Sequence, residues 1–108
     1  MVQEKLIALI ESLAEKSEAG TLDWEAAASR NSYQTNFSRY TVAVSEFNYG
    51  ESYELTITNE EGELMETAHD SDFPAGTHQR LKTVFSGARR KVMGVDSALD
   101  EILSSLQS

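Results

Sequence analysis

Apolar side chains recur at three- and four-residue spacing near the start of the chain, at two-residue spacing through its middle, and at three- and four-residue spacing again towards its end. The first pattern predicts an amphipathic helix over residues 2–19. Val2, Leu6, Leu9, Ile10, Leu13 and Ser17 mark its inner stripe, Ile7 and Ala14 widen it, and Glu4, Glu11, Glu15 and Glu18 fall opposite. Gly20 supplies the stop, because glycine enters the left-handed conformation after a helix at little cost. Thr21 or Asp23 is placed to cap a short second helix through Ala28, with Trp24 holding that segment to the core.

The period of two predicts strands at 40–47, 52–59 and 63–68, and a fourth at 32–37. Asn48-Tyr49-Gly50-Glu51 and Asn59-Glu60-Glu61-Gly62 are turn sequences lying between the runs, as hairpins require. After Asp72-Phe73-Pro74, the residues Leu81, Val84, Phe85, Ala88, Val92, Val95, Leu99, Ile102, Leu103 and Leu106 share one helical phase. Their arc of roughly 100° is wide enough to face a sheet. Gly94 interrupts the run and costs about 1 kcal/mol inside a helix, so a break is expected there, with Asp96 or Ser97 capping a second helix. An unbroken helix from Thr77 to Leu106 would instead reach roughly 45 Å. The expected fold is α+β: an N-terminal helix, a three- to four-stranded antiparallel meander, and a C-terminal helix or helix pair packed on one sheet face. At 108 residues the chain is expected to be a single compact domain spanning 1–108.

Charge sharpens this picture. The net charge is -9, from 18 acidic and 9 basic side chains. Phosphate contacts need a positive field, so a binder of duplex nucleic acid is not expected. The charge is unevenly spread. Residues 31–73 sum to -8, whereas 74–94 carry Arg80, Lys82, Arg89, Arg90 and Lys91 and no acid; residues 95–108 carry three acids and no base. Without cysteine the chain has no disulfide, thiol nucleophile or iron–sulfur ligand set, which fits a reducing compartment. The apolar stretch at residues 6–10 is flanked by Glu4 and Glu11 and is too short for a signal or a membrane span. A cytoplasmic location and no membrane partner are expected.

Chemistry is sparse. His69-Asp70-Ser71-Asp72 matches no zinc spacing and Asn59–Glu63 no calcium loop, so no metal is expected. There is no nucleophile elbow, Walker loop or dinucleotide fingerprint. No catalytic residue and no cofactor are assigned, and an enzyme is not expected. What remains is contact. Guanidinium forks suit phosphate or carboxylate, which makes Arg80, Arg89, Arg90 and Lys91 candidates for a ligand or partner. Tyr49, at a hairpin tip, is a candidate stacking residue. The sequence therefore suggests a small non-enzymatic regulatory or adaptor domain acting by protein–protein contact, as a homodimer. The alternative is a protein that sequesters a small anion, such as a nucleotide signal, on helix 78–91. A weaker alternative is an acidic mimic of nucleic acid acting through the acidic meander, chiefly Glu60, Glu61 and Glu63.

Overall fold

Gly20 ends the first helix, and it does so through backbone geometry. At φ +71° it lets its own N–H reach the Ser17 carbonyl and the Thr21 N–H reach that of Lys16, which satisfies carbonyls the helix end would leave open. The computed structural model describes residues 2–29 and 31–107, without the Val2 side chain that the sequence places in the apolar stripe. Helix α1 spans Val2–Ala19, and strands β1 (Glu25–Ala26), β2 (Ser32–Phe37), β3 (Tyr40–Phe47), β4 (Ser52–Asn59) and β5 (Leu64–His69) come after it. Helices α2 (Thr77–Met93) and α3 (Val95–Gln107) complete the chain, and single 3₁₀ turns occupy Asn48–Gly50 and Asp70–Asp72.

The fold is α+β, with a sheet of five strands in sequential antiparallel order and not the three or four expected. The added strand lies where a short helix was expected. Glu25 pairs with Gln34 and Ala26 with Tyr33, and Thr21 closes α1 through its side chain to the Lys16 carbonyl instead of capping a new helix. Trp24 explains the difference. Its buried indole donates to the Ser17 hydroxyl at 3.3 Å, which draws the chain back under α1 and delivers residues 25 and 26 to the sheet edge.

Register then decides which side chains are buried. Tyr33, Val44, Leu55 and Ala68 form one cross-strand row, and Thr35, Val42, Ile57 and Glu66 the next. Both rows face the helices. The opposite face carries Gln34, Ala43, Thr56 and Thr67, with Ser32, Ser45, Glu54 and His69 beside them, so it is polar and uncovered. On edge strand β5 a bulge opposite Ile57 and Thr58 breaks the ladder, a common protection against pairing with another chain.

Helices α1 and α2 run parallel over the apolar face. Gln3 bonds the Asp72 carbonyl at one end, Ser17 in the last turn of α1 meets Gly87, and Lys91 bonds the Gly20 carbonyl just beyond that contact. Ile10, Leu13, Ala14, Leu81, Val84, Phe85 and Ala88 join the sheet residues in one core. Phe85 is central: its ring lies 5.3 Å from that of Tyr33 and 5.7 Å from that of Tyr53, tying α2 to β2 and β4.

Gly94 breaks the C-terminal run, at φ +64°, with its N–H directed to the Arg90 and Lys91 carbonyls. Helix α3 begins immediately at Val95, ahead of both expected caps, and the Gly94 carbonyl accepts the Ala98 N–H. The expectation that the whole C-terminal segment packs on the sheet fails for α3, none of whose side chains is buried. Geometry gives the reason. Five strands 4.8 Å apart span about 19 Å, and two helices spaced 8–10 Å apart already cover that width. The chain is accordingly elongated, 55 × 33 × 24 Å, with a radius of gyration of 15.0 Å where a compact domain of this length has about 13 Å.

Gly87 tests the helix packing. A Cβ added there would lie 2.7 Å from the Ser17 Cβ and 2.8 Å from the Ser17 carbonyl oxygen, and backbone cannot swing aside. Alanine gains about 1 kcal/mol of helix propensity, but overpacking costs about 1–3 kcal/mol. Gly87→Ala should therefore lower the urea midpoint, a net loss of about 1 kcal/mol; a variant as stable as the parent would show that α1 yields freely.

Candidate functional site

The close approach at Ser17 and Gly87 leaves a groove above it. The space, about 850 Å³, is bounded by the last turn of α1, the outer side of α2 and the first turn of α3. Lys82, Arg90 and Lys91 line it together with Glu18 and Asp96, while Val95 and Leu99 bring in the apolar side of α3. Three cations and two carboxylates leave it weakly positive. Lys91 Nζ donates to the Gly20 carbonyl at 3.2 Å, where the exposed carbonyls at the α1 terminus favour a cation.

The basic residues singled out in the sequence are thus only partly brought together. Arg90 and Lys91 share this groove. Arg80 lies elsewhere, against Ile7 and Pro74 in one shallow depression and beside Glu11, Glu15 and Glu18 in another. Arg89 is exposed and lines none of these spaces. Among the described residues no lysine or arginine stands within 4.0 Å of a carboxylate, so the cations of α2 form no ion pairs to the sheet.

Tyr49 is fully exposed in the β3–β4 turn and lines none of these spaces either. Its backbone is left-handed, φ +57°, as is that of Asn48 before it, φ +51°. That conformation costs a tyrosine roughly 1–2 kcal/mol, and its ring gains no burial in return.

Two histidine contacts are structural in form. His69 Nε2 meets Glu54 Oε2 at 3.1 Å, and the two residues are direct cross-strand partners. His78 Nδ1 donates to Asp70 Oδ2 at 2.5 Å, and the same nearly buried oxygen accepts the Tyr53 N–H at 3.2 Å. Asp70 thereby joins the start of α2 to β4. Three acidic residues, Glu60, Glu61 and Glu63, sit together at the β4–β5 hairpin tip. Asn59 Oδ1 accepts the N–H groups of Glu61 and Glu63, and its amide bonds the Glu63 carboxylate and, with Glu61, holds that group below its ordinary pKa. By register the outer sheet face carries Glu25 and Glu54 and otherwise little acid.

Sequence reasoning missed one surface. Leu99, Ile102, Leu103 and Leu106 are 52%, 56%, 54% and 78% exposed, side by side on α3. Their helical phase places them on an arc expected to face the sheet. The usable signal is the length of that arc, which continues past the glycine to Leu106 after the sheet is covered.

Neither a protein-family model, nor a curated protein, nor a solved structure matches this chain. Its geometry must carry the functional reading. No described helix is long and apolar enough to cross a membrane.

The buried Tyr53 supplies a test of the polar network. Its phenol donates to Glu46 at 3.2 Å; burial above all, then the Glu46 charge and hydrogen bond and the nearby Asp70, raise its pKa above the ordinary 10.0. The folded state holds this proton more tightly than the unfolded state. Its contribution is complete below about pH 10 and is lost as pH rises through the folded value. Tyr53→Phe should cost about 1 kcal/mol at neutral pH and remove that share of the alkaline decline. Urea midpoints across the alkaline range, compared with the parent, read both effects; parallel curves would deny the shift.

Proposed function

We propose that the chain is a small non-enzymatic regulatory or adaptor domain that acts by protein–protein contact, with α3 as its contact surface. The observation that carries this reading is the set of four large apolar side chains, each more than half exposed, on one side of a helix outside the core. Scattered apolar residues on a surface need no explanation, whereas a contiguous apolar strip does. The strip is also separable from folding, because the core is complete without it. Contact through α3 therefore leaves the rest of the domain undisturbed.

A photoreactive residue at position 102 or 106, introduced singly and irradiated in the cells that express the protein, should give covalent adducts of defined mass. The same residue at position 56 on the outer sheet face should give none. Absence of adducts from both α3 positions would remove the reading.

A second reading has its own support: Lys82, Arg90 and Lys91 line one groove without an ion-pair partner among the described residues. In this reading the groove holds a small anion such as a nucleotide. Glu18 and Asp96 at the same surface weigh against it. A bound nucleotide at 100 times its dissociation constant would add about 2.7 kcal/mol to stability. The expected result of a thermal-shift screen with nucleotides is no shift in the parent protein; a clear shift, abolished by Arg90→Ala with Lys91→Ala, would favour the anion site instead.

A further inference from the structure

We propose that the contact made by α3 is with a second copy of this chain: the α3 of each copy lies in the groove between α1, α2 and α3 of the other. This rests on the reading of α3 as a contact surface and adds the identity of the occupant.

The spacing on α3 is that of a helix built to pair. Val95, Leu99, Ile102 and Leu106 succeed one another at intervals of four, three and four, the repeat by which one helix keeps a seam against another. Leu103 widens the seam on one flank, whereas Asp100 and Glu101 fall on the far side of the helix. The seam opens onto the groove, since Val95 and Leu99 line it directly. Gly87 keeps the floor of that groove low by presenting no side chain.

Charge selects the occupant. The residues beyond Gly94 hold Asp96, Asp100 and Glu101 and no cation, and the groove presents three cations of α2, Lys82, Arg90 and Lys91, against Glu18 and Asp96, a small positive excess. An occupant that closes the seam must be an amphipathic helix, and one that also lies along α2 must be acidic. The chain itself carries such a helix. When each α3 serves as occupant for the other copy, the interface is isologous, using the same surface twice, and closes on itself as a two-fold dimer.

Length argues the same way. A 13-residue helix is marginal in water on its own, and this one is anchored to α2 only near its first turn. A partner helix along the seam supplies the packing that the monomer does not.

Sedimentation velocity on the full chain, from low to several hundred micromolar, should show a monomer–dimer equilibrium weakened by salt. Ile102→Asp with Leu106→Asp should give a monomer whose melting temperature matches that of the dilute parent. Lys82→Glu with Arg90→Glu, and separately Asp100→Lys with Glu101→Lys, should each weaken association about tenfold. Mixed in equal amounts, these two charge variants should recover the parental affinity, because every reversed groove then meets a reversed helix and every unaltered groove an unaltered one. A mixture no better than its components overturns the groove seating, as does a dimer indifferent to Ile102 and Leu106. A parent that remains monomeric while positions 102 and 106 form adducts with a different protein overturns self-association and leaves the contact surface standing. A monomer without adducts removes both.

Discussion

The arrangement depends on how closely α1 approaches α2, and that distance is set where Ser17 meets Gly87. A side chain at position 87 would enter the Ser17 backbone, so the two helices can be this near only because glycine stands there. Ser17 does more than fill the gap. Its hydroxyl receives the Trp24 indole, which directs the returning chain into β1, and its carbonyl takes part in closing α1 at Gly20. One contact therefore couples the helix pair, the end of α1 and the first strand of the sheet. Gly20 in turn presents its carbonyl to Lys91, so the C-terminal turn of α2 is held beside the end of α1.

The same contact shapes the outer surface. Because α1 and α2 are close and parallel, they cover the sheet and leave no apolar face for a third helix. Gly94 then turns the chain away from the core, and the apolar residues after it remain in water. Burial accounts for the α2 residues Leu81, Val84, Phe85 and Ala88, and for none on α3. A sequence that keeps a large apolar stripe on a helix with no core left to join has put that stripe under a different constraint from folding. The cations of α2 show the complementary situation, unpaired among the described residues, although the acidic hairpins belong to the same chain.

Much of this fold was legible in the sequence where local chemistry and tertiary packing agree. The period of two located β2, β3 and β4 at their observed limits and β5 one residue early, and the two helix-ending glycines stood out because their left-handed backbone has few alternatives. Strand β1 was not legible. Two residues cannot show a period, and Glu25–Ala26 becomes a strand only because Trp24 is anchored to Ser17, seven residues earlier. The exposure of α3 was hidden for a related reason. Residues 81–106 keep one phase across Gly94, so periodicity cannot say that half of them face a core and half do not. Of the candidate residues, Arg90 and Lys91 line the same groove, while Arg80, Arg89 and Tyr49 lie apart from it. A block of cations in sequence says nothing about which sides of a helix its neighbours leave open.

The energetics of the α3 seam also limit the kind of contact proposed for it. Leu99, Ile102 and Leu103 are already about half shielded, so for these three closing the seam recovers only about half of the ~1.5–3 kcal/mol that full burial of such a side chain provides. Association costs several kcal/mol in lost freedom, and more where a marginal helix must be ordered at the same time. The surplus is small. Charges spread around α2 raise the encounter rate and choose the orientation more than they deepen the well. A reversible contact, sensitive to salt and to single polar substitutions on α3, is what these magnitudes support. An obligate interface would have drawn Leu99, Ile102, Leu103 and Leu106 into a core, as α2 draws Leu81, Val84 and Phe85. The low gain per side chain on α3 is therefore consistent with a domain that folds first and associates afterwards.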